Sequence, residues 1–136
     1  MKYKFLDDLT SDVIFEAYGK DLKELFQNSA LAMSEVICDI KNVSKKSRID
    51  VEVKADNRKD LLYNWLQEII AQIDIQEMFF SSFHIKKITD TELRARLFGE
   101  SISPQKSQTV VKAVTNYKFG LRKTQEGYKA TVSLDI

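Results

Sequence analysis

Residues Phe79 to Phe98 run FFSSFHIKKITDTELRARLF, and with them the helical spacing that governs the preceding segment disappears. Phe79 to Ile88 and Glu92 to Phe98 read as two strands separated by Thr89-Asp90, a pair that ends one run and opens the next. In the first of these, Phe83 and Ile85 share one face while His84 falls with Ser82 and Lys86 on the other, the period of two that a pleated strand imposes. Two further strands follow, Thr109 to Phe119 and Tyr128 to Leu134, set apart by Gly99 to Ser107 with Pro104 and by Lys123 to Gly127. Short turns between consecutive strands predict an antiparallel meander of these four.

Upstream, the pattern alternates between strand and helix. Tyr3 to Leu6 and Asp12 to Tyr18 look like strands, the second setting Val13, Phe15 and Ala17 against Ile14, Glu16 and Tyr18. Gly19 punctuates. From Asp21 onward Leu22, Leu25, Phe26, Ser29, Ala30, Met33 and Ile37 recur at three and four residues, one stripe of an amphipathic helix that must pack on something. A polar stretch, Lys41 to Arg48, leads to Ile49, Val51 and Val53, which alternate with Asp50, Glu52 and Lys54 as a half-solvated strand does. Ala55-Asp56-Asn57 stops it. Asp56 or Asn57 caps a second helix, Asp60 suits its positive end, and the buried face is Leu61, Leu62, Trp65, Leu66, Ile69, Ile70 and Ile73. Two amphipathic helices packed on a mainly antiparallel sheet of about seven strands give an α+β fold in two layers.

The chain has 136 residues, which fits a single domain spanning 1–136 that buries roughly 70% of its unfolded surface. Its single cysteine, Cys38, excludes an internal disulfide framework and fits a reducing cytosol. Val36, Ile37 and Ile40 around it mark it as a small core residue. MKYKFLDDLTSD lacks the apolar core of a signal peptide, and no stretch approaches the roughly 18 apolar residues of a membrane span, so a soluble cytoplasmic protein is expected. With 21 basic and 20 acidic residues the net charge is +1, which gives no reason to expect direct, tight binding to nucleic acid. A protein partner or a small ligand is the better expectation.

Most familiar catalytic chemistry is missing. One histidine, His84, cannot build a multi-histidine metal site, and its strand position with Ser82 and Lys86 marks a surface residue. Four scattered glycines form no phosphate-cradling loop. Aromatic residues do not interleave with Lys and Arg along one strand face as in a single-strand RNA platform. Tyr117 and Phe119 around Lys118 come nearest, and core packing explains them more simply. Carboxylates remain. Asp7, Asp8 and Asp12 crowd a strand junction, and Asp135 with the Ile136 terminus adds two anionic groups at the end of ATVSLDI (130–136). Each cluster alone reads as solvated surface. Brought together by the fold, they would need neutralising, and a hard cation such as Ca²⁺ or Mg²⁺ would do it.

An ordered set of motifs resembles the archease family nearly from end to end. It comprises Thr10-Ser11-Asp12-Val13, where that family usually has His-Thr-Ala-Asp, then Ala17-Tyr18-Gly19 and LKELFQNSALAMSEV (22–36). Asp60-Leu61-Leu62, Trp65-Leu66-Gln67-Glu68, Phe80-Ser81-Ser82-Phe83 and Gly99-Glu100 continue it. Val111-Lys112-Ala113-Val114-Thr115 and Leu134-Asp135-Ile136 close it. The resemblance implies a non-catalytic activator of an RtcB-type RNA ligase in tRNA splicing and RNA repair, promoting GTP-dependent guanylylation of the ligase and repeated turnover. It also implies a calcium-type site, open to Mg²⁺ or Mn²⁺, made of Asp12, Asp135 and Ile136, the last through main-chain oxygen. Lys112, in the VKAVT motif, is implied to act on the ligase, although an ordinary outward-facing strand lysine is equally consistent. Leu9 stands where the family usually has His, and Asn116-Tyr117 where Tyr-His is common. A general chaperone-like adaptor for RNA-processing enzymes, and a metal-dependent hydrolase using the same carboxylates, are the other classes.

Overall fold

The first helix begins where Asp21 accepts a hydrogen bond from the Glu24 main-chain N–H at 2.9 Å, satisfying a donor that the first turn leaves free. The computed structural model describes residues 1–7 and 12–136. In chain order the elements are β1 (Tyr3–Leu6), β2 (Val13–Gly19), α1 (Leu22–Ile37), β3 (Ser47–Lys54), α2 (Arg58–Gln76), β4 (Met78–Ile88), β5 (Glu92–Ser101), β6 (Ala113–Thr124) and β7 (Gly127–Asp135). Asn57, not Asp56, caps α2, accepting from the Asp60 N–H at 2.8 Å. The α+β class is as the sequence predicts, with every strand pairing antiparallel.

The meander is not. The last four strands form two separate hairpins, one in a sheet of order β3-β5-β4 and the other in a sheet of order β1-β2-β7-β6. The cause is the segment between β5 and β6, whose backbone partners lie on α1 and just beyond it. The Gln108 N–H donates to the Ile37 carbonyl at 3.0 Å, the Thr109 N–H to Val36 at 3.2 Å and the Asp39 N–H to Lys106 at 2.9 Å. Those bonds carry the chain away from β5, so β6 starts at Ala113 and not at Thr109.

Both helices serve both sheets. α1 packs on β2 and β4, while α2 packs on β6 and β3. Leu25, Phe26, Ala30, Met33 and Ile37 bury the predicted stripe of α1, and Leu61, Leu62, Trp65, Leu66 and Ile69 that of α2, with Ile70 and Ile73 only partly covered. Of the three buried polar residues of α1, Ser29 bonds the Leu25 carbonyl of its own helix and the other two bond strands. Asn28 Nδ2 donates to the Tyr18 carbonyl of β2 at 2.7 Å, and the Ser34 hydroxyl donates to the Phe80 carbonyl of β4. A buried donor thus keeps its partner, and α1 is fixed to a strand of each sheet. Among the described residues no helix is long and apolar enough to cross a membrane.

Candidate metal centre

Strand pairing decides where the carboxylates lie. In the β2–β7 ladder Val13 faces Leu134 and Ile14 faces Ser133. Antiparallel strands run in opposite senses, so the residue before Val13 and the residue after Leu134 meet at the same end: Asp12 and Asp135. Val13, Phe15 and Ala17 share a face with Leu134, Val132 and Ala130, which are buried under the helices. Alternation therefore assigns Asp12 and Asp135 to the opposite face, with Ile14 and Ser133.

Two bonds fix this corner. The Ser133 hydroxyl, fully buried, donates to the Asp12 carboxylate at 3.1 Å. The Lys112 main-chain N–H donates to the Asp135 carbonyl at 2.7 Å, and the next rung pairs Ala113 with Asp135. The entry to β2, the end of β7 and the start of β6 thus converge, and Ile136 follows directly with its side chain 40% exposed. Lys112 is itself exposed at this corner. Among the described residues no three His, Cys, Asp or Glu side chains gather as a metal cluster. The corner offers two side-chain carboxylates, Asp12 and Asp135, with Ile136 next along the chain. Asp7 is exposed just past β1, whereas Asp8, Leu9, Thr10 and Ser11 lie outside the described residues.

Ser133 is the residue that sequence reading missed. Its signal was available, since alternation puts Ser133 on the same face as Asp135, one step along the strand. Further along that face Glu16 accepts from Lys129 at 2.7 Å and from the Tyr18 hydroxyl at 2.8 Å, with Lys4 at 3.6 Å. The Lys129 bond holds the Glu16 carboxyl below its ordinary value. Burial, then the bond to Glu16, pushes the Tyr18 phenol up to about 12.

The remaining candidates separate cleanly. His84 is exposed and stands opposite Arg96. Cys38 is buried, and burial pushes its thiol up, as befits a core residue. Phe119 packs edge-on against Tyr63 with ring centroids 5.4 Å apart, but Tyr117 is 41% exposed, so core packing accounts for only one of that pair.

The profile of the Archease protein family matches residues 3–136. Protein archease of Methanosarcina acetivorans is 37% identical over 141 residues, covering 99% of this chain and 96% of that one. Protein archease of Archaeoglobus fulgidus is 33% identical, covering 100% of each. Among solved structures, Protein 1598 of Methanobacterium thermoautotrophicum superposes with a TM-score of 0.84 at 35% identity and 99% coverage of both chains. An archease from Thermotoga maritima, described as a possible chaperone, shares the fold at a TM-score of 0.70 and 17% identity, covering 96% of this chain and 95% of that one. By family profile, by relatives spanning its full length and by fold, this chain belongs to the archease family.

Proposed function

We propose that this protein is a non-catalytic, cytoplasmic activator of an RtcB-type RNA ligase in tRNA splicing and RNA repair. It promotes the GTP-dependent guanylylation of the ligase histidine and lets the ligase turn over repeatedly. Asp12, Asp135 and Ile136 hold Ca²⁺, or another divalent cation such as Mg²⁺ or Mn²⁺, and Lys112 contacts the ligase at its guanylylation site. The observation that carries this reading is the convergence of Asp12, Asp135 and Lys112 at one corner of a chain that is archease-like from end to end.

The donor chemistry supports the metal. Carboxylate, main-chain and hydroxyl oxygens are hard ligands, matched to Ca²⁺ or Mg²⁺ and not to metals that prefer thiolate or imidazole. When bound, such an ion supplies the positive charge that lets neighbouring anions stay together. The Ser133 hydroxyl orients the Asp12 carboxylate, and the Lys112 N–H holds the Asp135 backbone, so bonds within the chain hold both residues whether or not an ion is present.

Adding the purified protein to its cognate RtcB-type ligase with GTP, Mn²⁺ and cleaved RNA raises the number of turnovers per ligase. An unchanged turnover number with an active ligase would sink the reading. The chaperone-like adaptor is the competing reading, favoured by an apolar cleft between α2 and residues 102–111 that Ile73, Ile102 and Val110 line, Val110 being 79% exposed. It predicts protection of unrelated proteins from aggregation, undiminished by changes at Asp12 or Asp135.

A further inference from the structure

The outer face of the β3-β5-β4 sheet presents an aromatic ring that the core does not use. Along β5, Leu93, Ala95 and Leu97 are buried toward the helices, so Arg94, Arg96 and Phe98 point the other way. The register sets Arg48 of β3 and Ser82 of β4 on either side of Phe98, and Asp50 and His84 on either side of Arg96. Phe98 is half-buried, yet it is absent from the cluster of apolar side chains that make up or pack against the core.

Positive charge dominates the same face. The ladder irregularity between Ile85 and Lys87 turns two successive lysines outward, Lys86 reaching Asp50 at 3.8 Å and Lys87 reaching Glu92 at 3.5 Å. Arg96 also takes Asp50, while Arg94 and Lys54 share Glu52. Each carboxylate is thus divided between cations, and exposed pairs of this kind are weak. Nearer Phe98 the cations are held more loosely: among the described residues Lys45 and Lys46 make no ion pair, Arg48 adds only its charge to that around Asp50, and all three are exposed. The turn carrying the lysines is pinned to this end of the sheet. The Ser44 main-chain N–H donates to Glu100 of β5, and the Ser81 hydroxyl of β4 donates to the Val43 carbonyl at 2.9 Å.

We propose that this face binds single-stranded nucleic acid, with a base stacked on Phe98 and the flanking phosphates neutralised by Arg48, Lys45 and Lys46. An aromatic ring on the central strand of an open sheet offers a π-face to any base, and long, exposed cations beside it track a phosphate backbone. An acidic polypeptide would use the cations and leave the ring without a purpose, which favours the polynucleotide. The near-neutral whole molecule makes the contact weak, in keeping with a protein that assists an RNA enzyme. The proposal goes beyond ligase activation and is measured with no ligase present, so either can fail alone.

The test is fluorescence anisotropy with a labelled oligouridine of about twelve nucleotides, near the site size of small single-strand binders. The parent protein binds with a Kd between about 10⁻⁶ and 10⁻⁴ M, weakening as salt rises. Phe98→Leu, which keeps apolar bulk at this half-buried position, weakens binding about tenfold, as does Phe98→Ala, and Phe98→Tyr restores it. Removing Lys45 and Lys46 together lowers the slope of log K against log salt by about 1.4, roughly 0.7 for each phosphate no longer neutralised. Lys123→Ala, on the other sheet, changes nothing. No binding by the parent overturns the proposal, as does equal binding by Phe98→Ala. Poly-glutamate binding as tightly as oligouridine, with no response to Phe98 substitution, assigns the face to an acidic protein and overturns it as well.

Discussion

Ser133 and Glu16 show how much one face of β2 and β7 depends on single polar contacts. Ser133 has no accessible surface, and its hydroxyl is directed to Asp12. In the proposed metal site, Asp12→Asn removes a ligand charge, and a short extension after Ile136 displaces the terminal oxygens. Both shrink the rise in melting temperature that Ca²⁺ gives the parent, because a ligand stabilises only in proportion to its occupancy of the folded state. Equal rises in all three proteins would show that the ion binds elsewhere. Glu16 gives a pH prediction whose sign follows from its ion pair. Its carboxyl is held below the ordinary 4.5 by Lys129, so the stability it contributes is complete above pH 4.5 and is lost as pH falls through its folded value. Tyr18 is the mirror case: its contribution is complete below pH 10.0 and is lost as pH rises through about 12. Glu16→Gln therefore flattens the fall in melting temperature on the acid side of pH 4.5, and an identical profile in parent and variant would exclude this pair as a source of acid sensitivity.

Among the elements, the β6–β7 hairpin shows where local rules hold and where packing overrides them. Gly127 opens β7 with φ of 143°, and a Cβ built there would overlap the Gly19 carbonyl oxygen. Gly127→Ala combines a conformation nearly reserved for glycine with a backbone clash, and should cost about 1–3 kcal/mol in chemical denaturation. In β6 the pairing jumps from Thr115↔Ser133 to Gly120↔Thr131, so residues 116–119 leave the ladder. Lys118 takes a left-handed φ of 52° within that excursion. An unbroken strand would keep Tyr117 and Phe119 on one face. The excursion instead sends Phe119 to Tyr63 of α2 and leaves Tyr117 in solvent with the Lys118 ammonium 5.3 Å from its ring. The helix starts were legible because capping is a local bond: Asp21 and Asn57 each reach a main-chain N–H three residues ahead.

Trp65 ties the layers of the protein together. Its indole N–H donates to the Phe26 carbonyl of α1 at 3.0 Å, and its ring meets Phe83 of β4 edge-on at 6.2 Å. Trp65→Ala opens a cavity where both helices meet a sheet and should lower the unfolding free energy by about 3–5 kcal/mol, measured by urea titration. Trp65→Phe keeps much of the volume, loses the indole donor, and falls between parent and alanine variant. The helical stripes of α1 and α2, their caps and the alternation of most strands are legible in the order of amino acids alone, because each depends on residues within a few positions of one another. The division of the last four strands between two sheets is a product of folding, since it follows from residues 106–109 bonding back to the chain at Val36, Ile37 and Asp39. Folding likewise brought Asp12 to Asp135 and set Phe98 between Arg48 and Ser82. Each of those meetings joins residues far apart along the chain, and the register that joins them is fixed by which faces the helices bury.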